Sequence, residues 1–398
     1  MENLKPNQAN SSPLTPIGFL ERSATVYGDC PSIVYNDSVY TWSETYQRCL
    51  RLASSIVVSL GIKRRQVVSV VAPNIPAMYE LHFAVPMAGA VLNNLNTRLD
   101  ARTISSMLRH GAESKLVFVD QHSVDLVLDA VSLFPEHTLV PRLVLIADEL
   151  APSPSPEIGV NSRFYSTYED LVDRGDSEFQ WLRPETEWDP IVLNYTSGTT
   201  SSPKGVVHCH RGIFIVTVDS LVEWSVPKQP VYLWTLPMFH GNGWSYTWGM
   251  AAVGGTNICL RKFDGPAIFN LIRRHGVTHM CGAPVVLNML VEVESALYGH
   301  PAVDETAVVA RPDDFWGESP CAFVKLKNGV TRKPTEEEIM EYCREKLPHY
   351  MVPKSVVFRD ELPKTSTGKI QKFLLKDIAK KMGSAATTAA GVVVPSRM

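Results

Sequence analysis

Apolar and polar positions along the first two thirds of the chain fall into alternating runs that predict strand after helix. Thr41-Trp42-Ser43-Glu44 has the S/T-x-x-E spacing of a capping box and predicts a helix to about residue 60, ended by Gly61. Residues 66–72 (Gln-Val-Val-Ser-Val-Val-Ala) form an apolar run of the kind found in buried strands. Helical spacing returns at 76–88, 101–110 and 123–132, with strands expected at 115–119 and 139–146 between and after them. Further on, 191–193, 206–209, 232–236 and 278–281 read as strands, and 210–222 and 266–275 as helices. Alternation at this spacing predicts an α/β fold in which helices cover layered sheets. No repeat recurs at a short fixed period. Residues 150–162, rich in Pro and Ser, read as a surface loop without chemistry.

One stretch breaks the alternation. Between the strands at 191–193 and 206–209 lies Tyr195-Thr196-Ser197-Gly198-Thr199-Thr200-Ser201-Ser202-Pro203-Lys204-Gly205. Hydroxyl side chains, flexible backbone and one cation suit a polyphosphate: N–H and O–H groups donate to its oxygens and Lys204 supplies a charge. The plainer reading is a solvated Ser/Thr/Gly linker. A linker has no need of the Pro-Lys-Gly ending or of apolar strands close on both sides. The stretch is not a Walker A loop, because Pro203 stands where the second glycine of G-x-x-x-x-G-K-[ST] belongs.

Composition narrows the partners. The chain has 398 residues, with Lys+Arg 38 against Asp+Glu 41, and no basic stripe of the kind that binds nucleic acid. The seven cysteines are scattered without a C-x-x-C pair, which fits a reducing compartment. His208-Cys209-His210 invites a metal reading, but as a strand it puts the two histidines on one face with no second ligand pair, so no metal site is expected there. No apolar h-region opens the chain, so secretion is not expected, and no run reaches membrane-spanning length. No G-x-S-x-G elbow supports a serine hydrolase.

The hydroxyl-rich stretch resembles the phosphate loop of the adenylate-forming (AMP-binding) superfamily, Y-T-S-G-T-T-G-x-P-K-G. Nine of the ten fixed positions match without a gap, and Ser201 replaces a glycine. Pro237-Met238-Phe239-His240-Gly241-Asn242-Gly243-Trp244 resembles the same family's x-P-x-F-H-x-x-G turn. Pro73-Asn74-Ile75-Pro76-Ala77-Met78-Tyr79-Glu80 and the residues to Ala90 are similar to acyl-activating enzymes of plant peroxisomes; read from the residues alone, that stretch is a packed helix. The resemblance implies a large N-terminal adenylate-forming domain (1–290), a small α+β C-terminal domain (291–382) and a tail (383–398). It implies that Thr196, Ser197, Gly198, Thr199, Thr200, Ser201 and Lys204 hold the phosphates of ATP. It implies that His240, Trp244 and Gly282 line the acyl site. Without the resemblance, His240 reads equally as a turn histidine satisfied by nearby backbone.

The resemblance breaks between Leu290 and Val291. The family's adenine, ribose and magnesium-phosphate segments have no counterpart, so the large domain is expected to be incomplete, with apolar edges left exposed. Helical spacing of Val286, Leu290, Val293 and Leu297 allows one helix across the junction. Beyond it, 305–311, 321–327 and 355–358 read as strands, and Thr335-Glu336-Glu337-Glu338 as a second capping box. Pro363-Lys364-Thr365-Ser366-Thr367-Gly368-Lys369 resembles the family's P-K-T-x-x-G-K loop, which implies that Lys369 steadies charge on the α-phosphate; its alternative is a solvated surface lysine.

By resemblance, then, the chain is an acid–thiol ligase that converts a carboxylic acid and ATP, with Mg2+, to an acyl-adenylate, and passes the acyl group to coenzyme A. The alternative is an impaired form lacking the adenine and ribose contacts. The terminal Ser396-Arg397-Met398 resembles a peroxisomal address read by an import receptor.

Overall fold

The chain opens with α1 (Gly18–Val26), β1 (Pro31–Tyr35), β2 (Ser38–Thr41) and α2 (Trp42–Val58). The expected capping box at α2 is formed in full: Glu44 N donates to Thr41 Oγ1 at 3.2 Å, and Thr41 N donates to Glu44 Oε2 at 2.7 Å. The computed structural model describes residues 7, 10–110, 113–147, 163–196, 203–262, 265–282, 293–313, 317–346, 352–364 and 370–383. They belong to two compact units, Met1–Cys281 and Gly282–Met398.

After α2 the first unit runs through β3 (Val67–Val71), α3 (Pro76–Met87), β4 (Val91–Asn94), α4 (Ala101–Arg109), β5 (Ser114–Asp120) and α5 (Val124–Ser132). Then come β6 (Arg142–Ile146), β7 (Phe164–Thr167), α6 (Tyr168–Arg174), β8 (Pro190–Thr196), β9 (Lys204–Cys209) and α7 (His210–Glu223). It closes with β10 (Val231–Leu233), α8 (Tyr246–Val253), β11 (Thr256–Ile258), α9 (Gly265–His275) and β12 (His279–Met280).

Two sheets result. One has the order β7-β6-β5-β3-β4-β8-β9 and is parallel except for β9, which runs antiparallel at the edge. The other has the order β12-β10-β11-β1-β2. β3 is buried at all five positions, which is why its sequence is a continuous apolar run. Its one hydroxyl, Ser69, is satisfied inside the sheet by Ser114 at 2.6 Å and by the Asn93 amide at 2.9 Å. α3 is buried on every side, so it carries no amphipathic stripe. The β9–α7 edge keeps large apolar side chains in the open: Val207, Val222 and Trp224 are each more than half exposed.

The second unit contains α10 (Val293–Tyr298), β13 (Val303–Asp313), β14 (Gly317–Leu326), α11 (Glu336–Arg344), β15 (Ser355–Phe358) and α12 (Lys372–Lys381). β14 is central, antiparallel to β13 and parallel to β15. Its side chains alternate between two cores: Ala322 and Val324 pack with Leu297 and Ile339, while Cys321 and Phe323 pack with Ala307 and Leu375. The predicted box at α11 also forms, Glu338 N to Thr335 Oγ1 at 3.2 Å and Thr335 N to Glu338 Oε2 at 2.9 Å. The junction at Leu290 and most of the helix expected across it lie outside the described residues.

One expectation needs correction. The strand expected at 232–236 ends at Leu233, because the carbonyls of Trp234 and Leu236 both accept from the Asn74 side chain. The helix expected from residue 210 forms, so His210 leaves the strand of His208 and shares no strand face with it. It opens α7, with the Cys209 sulfur accepting from Gly212 N at its cap, and its ring meets Thr15 Oγ1 at 2.8 Å.

Candidate active site

The phosphate-loop reading rests on the β8–β9 hairpin. Thr196 pairs with Lys204 and Tyr195 with Gly205, so the strands zip up to the residues on either side of 197–203. Ser197, Gly198, Thr199, Thr200 and Ser201 lie outside the described residues. Thr196 and Lys204, at the hairpin mouth, are both exposed. Lys204 has no ion-pair partner among the described residues, which leaves its ammonium available to an anion. Below the mouth, Tyr195 anchors the strand: its hydroxyl donates to the Met107 carbonyl at 3.2 Å. Gly205 makes room for that ring and its neighbour, since a Cβ there would stand 2.9 Å from Leu193 Cδ1.

The turn bearing His240, expected at the acyl end, follows β10. Asn74, in the loop before α3, grips its start: Nδ2 donates to Trp234 O and Leu236 O, both at 2.9 Å, and Oδ1 accepts from Met238 N at 2.8 Å. Every polar atom of this 7 % exposed side chain is spent on backbone more than 150 residues away. His240 and Trp244 are exposed, and among the described residues the His240 ring has no hydrogen-bond partner. Only its backbone is engaged, N–H donating to Pro237 O at 3.1 Å. The turn-histidine reading needs nearby backbone to satisfy the ring, and no described backbone group does so.

The backbone after His240 is left-handed for five consecutive residues: Gly241, Asn242, Gly243, Trp244 and Ser245 have φ of 49°, 43°, 57°, 54° and 65°. Non-glycine residues in that region cost about 1–2 kcal/mol each, so the surroundings must enforce it. Gly243 lies against the Trp234 ring, where a Cβ would come within 2.6 Å of Cζ3. Thr247 Oγ1 donates to Asn242 O at 3.1 Å, and Asn194 Nδ2 on β8 donates to Asn242 Oδ1 at 2.5 Å.

Aromatic side chains back the turn. Tyr232 stacks on Tyr246 at 5.3 Å and meets Trp234 edge-on at 4.9 Å. Burial pushes the Tyr246 hydroxyl up to about 12, so it is a neutral donor at ordinary pH. Trp248 donates to the His82 carbonyl at 3.3 Å, and His82 itself is sealed between Met78 O and the Asn94 amide, at 2.7 and 2.8 Å. The stretch 73–90, a packed helix by its residues alone, is thus what holds the turn bearing His240. An isolated Asn before a helix carries no spacing signature that would have exposed this role.

Gly282, expected with His240 and Trp244, is the first residue of the second unit. Lys369 and the tail bearing Ser396-Arg397-Met398 lie outside the described residues. Among the described residues, no group of three His, Cys, Asp or Glu side chains could hold a metal, and no helix is long and apolar enough to cross a membrane.

Comparison with known proteins bears on this arrangement. The family model for the AMP-binding enzyme matches residues 20–351. A 2-methylpropanoate--CoA ligase (CCL4) of Humulus lupulus is 50% identical over 551 residues, covering 97% of this chain and 98% of that protein. A probable acyl-activating enzyme 5, peroxisomal, of Arabidopsis thaliana is 48% identical over 550, covering 96% and 99%. The first of these alignments is longer than the 398 residues available, so at least 153 of its positions stand opposite nothing in this chain. Among solved structures, an anthranilate CoA ligase in complex with anthranoyl-AMP superposes with a TM-score of 0.59 at 16% identity, covering 95% of this chain and 99% of that one. A Mycobacterium tuberculosis fatty acyl CoA synthetase gives 0.56 at 20%, covering 92% and 99%. At these identities the likeness is one of fold.

Proposed function

This chain belongs to the AMP-binding enzyme family, and from that membership we propose that it activates a carboxylic acid with ATP and transfers the acyl group to coenzyme A. The relatives named above are CoA ligases and acyl-activating enzymes, and the family's chemistry is acid activation followed by transfer to the thiol. The observation that carries the reading at residue level is the hairpin mouth, where Lys204, exposed and unpaired among the described residues, stands across from Thr196.

In this proposal Thr196, Ser197, Gly198, Thr199, Thr200, Ser201 and Lys204 bind the β- and γ-phosphates by hydroxyl, N–H and ammonium contacts. Magnesium enters as the ATP complex, as part of the substrate. His240, Trp244 and Gly282 line the acyl end. Lys369 stabilises charge on the α-phosphate as the acid's carboxylate oxygen attacks it and pyrophosphate leaves, an electrostatic role rather than proton transfer. The thiolate of coenzyme A then attacks the acyl carbon and AMP leaves.

The test is carboxylate-dependent exchange of labelled pyrophosphate into ATP by the 398-residue chain, run over a panel that starts with short branched acids, as the hop relative's name suggests. Exchange that needs the acid, and is lost in Lys369→Ala, supports the reading. Its absence with every acid overturns activity for this chain and leaves the impaired form. We further propose a peroxisomal address in Ser396-Arg397-Met398, in keeping with the relative named peroxisomal. A fluorescent protein carrying the last residues of the chain should enter peroxisomes, and removing the tripeptide should leave it outside.

A further inference from the structure

A pair of side chains joins the two halves of the candidate site. Asn194 lies on β8, two residues before Thr196, and Asn242 lies in the left-handed turn after His240. Asn194 Nδ2 donates to Asn242 Oδ1 at 2.5 Å. Asn242 is 1 % exposed. The remaining atoms of the two amides, Asn194 Oδ1 and Asn242 Nδ2, are buried and have no hydrogen-bond partner among the described residues. A buried donor and acceptor left open are costly. Here they belong to the two side chains that join the β8–β9 hairpin to the turn after His240.

An amide pair of this kind has two arrangements. Either Asn194 donates to Asn242, or both amides turn over and Asn242 donates to Asn194. Each leaves the donor amide's C=O and the acceptor amide's NH2 open, so intrinsic preference between them is weak. A displacement of β8, or a ligand group that takes up an open atom, selects one arrangement. The turn has reason to respond, because three non-glycine residues are held in it against their own preference.

We propose that the Asn194–Asn242 pair is a positioning device that couples the nucleotide end of the site to the acyl end. Nucleotide at the β8–β9 mouth sets β8, and through this hydrogen bond sets the turn bearing His240 and Trp244. The device belongs to the ligase reading above, but its test can be told apart from that reading. Asn242→Gly removes the amide while accepting the left-handed backbone. Asn242→Asp keeps an acceptor for Asn194 Nδ2 and also tolerates that backbone. Asn194→Ala breaks the same bond from the strand, should the turn variant fail to fold.

The full chain is labelled with 5-fluorotryptophan, and the Trp244 fluorine resonance is identified by its loss in Trp244→Phe. Magnesium-ATP alone should move that resonance in the parent and in Asn242→Asp, but not in Asn242→Gly or Asn194→Ala. In exchange kinetics the two bond-breaking variants should raise KM for the acid about tenfold, with KM for ATP changed by less than about twofold. A parent resonance unmoved by ATP overturns the coupling. So does a shift that survives both bond-breaking variants, or an equal rise in both KM values. A resonance that moves in a chain with no pyrophosphate exchange refutes the ligase reading and keeps the coupling.

Discussion

Arg48 holds Glu80 by two parallel contacts, Nε to Oε1 at 2.6 Å and Nη2 to Oε2 at 3.2 Å, with the carboxylate entirely buried. Tyr168 donates to the same carboxylate at 2.6 Å, so α2, α3 and α6 meet at one anion. On its outer side Arg48 also pairs with Glu169, which is 56 % exposed. α3 is the helix whose leading loop supplies Asn74 to the turn bearing His240, so this buried pair anchors the helix that precedes that contact.

Removing one partner of a buried ion pair leaves the other uncompensated, at about 3–5 kcal/mol, whereas a solvent-exposed pair contributes less than about 1 kcal/mol. Glu80→Gln should therefore lower unfolding free energy by about 3 kcal/mol or more, and Glu169→Gln by less than about 1 kcal/mol. Urea denaturation of the three proteins measures both. Equal losses would mean that Glu80 and Glu169 neutralise Arg48 to the same extent, and that burial of Glu80 adds nothing.

Stability should fall on the acid side through two histidines. Burial depresses His82 and His210 to about 4. In the unfolded chain each titrates near about 6.5. Between those values the unfolded chain takes up protons that the folded chain refuses. The contribution is therefore intact above about 6.5 and is lost as pH falls, by about 1.4 kcal/mol per pH unit for each histidine. Denaturation midpoints at about pH 7.5 and pH 5 should differ accordingly, and His82→Gln should flatten the slope. An unchanged midpoint would mean that neither ring is sealed in the folded protein.

These two cases mark what the sequence could convey. Local signals were readable: Thr41–Glu44 and Thr335–Glu338 are capping boxes because the two partners lie three residues apart. The run Val67–Val71 announced its burial by composition alone. Contacts across the chain were not readable. Nothing near Asn74 points to Trp234 or Met238, and nothing near Arg48 points to Glu80. The helical start at His210 was readable from the spacing over 210–222, although its cap is a cysteine, a residue that seldom plays that part. Gly241-Asn242-Gly243 announces a turn, but that Trp244 and Ser245 continue it left-handed is a tertiary outcome.

Asn74→Ala should loosen the acyl turn without touching the hairpin. The substitution strands Met238 N–H and two carbonyls in the interior, at about 1–3 kcal/mol for each group that finds no water. A fall in unfolding free energy of about 2–4 kcal/mol is expected. It should come with weaker acid binding and unchanged ATP binding, read by calorimetry with each ligand. Loss of ATP binding alone would place Asn74 in the wrong half of the site.

Gly243→Ala meets two obstacles together, a backbone at φ 57° and a Cβ 2.6 Å from the Trp234 ring. Strain at such a residue costs about 1–2 kcal/mol before any clash is counted. Gly276→Ala is the control: its φ is 60°, but nothing lies within 4 Å of its Cβ. Thermal unfolding should show the larger loss at Gly243, and near-ultraviolet dichroism should change only there, because Trp234 must move. Equal losses would assign the whole effect to the backbone.

Lys204 gives the cleanest separation of function from stability. Its side chain is exposed and has no ion-pair partner among the described residues, so Lys204→Ala should change unfolding free energy by no more than about 0.5 kcal/mol. A charge-assisted hydrogen bond to phosphate contributes about 1.5–3 kcal/mol, so the dissociation constant for magnesium-ATP should rise by about 10- to 150-fold. Lys204→Arg keeps the charge on a differently shaped donor and should fall between parent and alanine. Raising salt should weaken nucleotide binding in the parent and in Lys204→Arg more than in Lys204→Ala, because an exposed charge pair is screened. Unaltered ATP affinity in Lys204→Ala, with the fold intact, would leave the β8–β9 mouth a solvated hairpin and return the hydroxyl-rich stretch to its plainer reading as a linker.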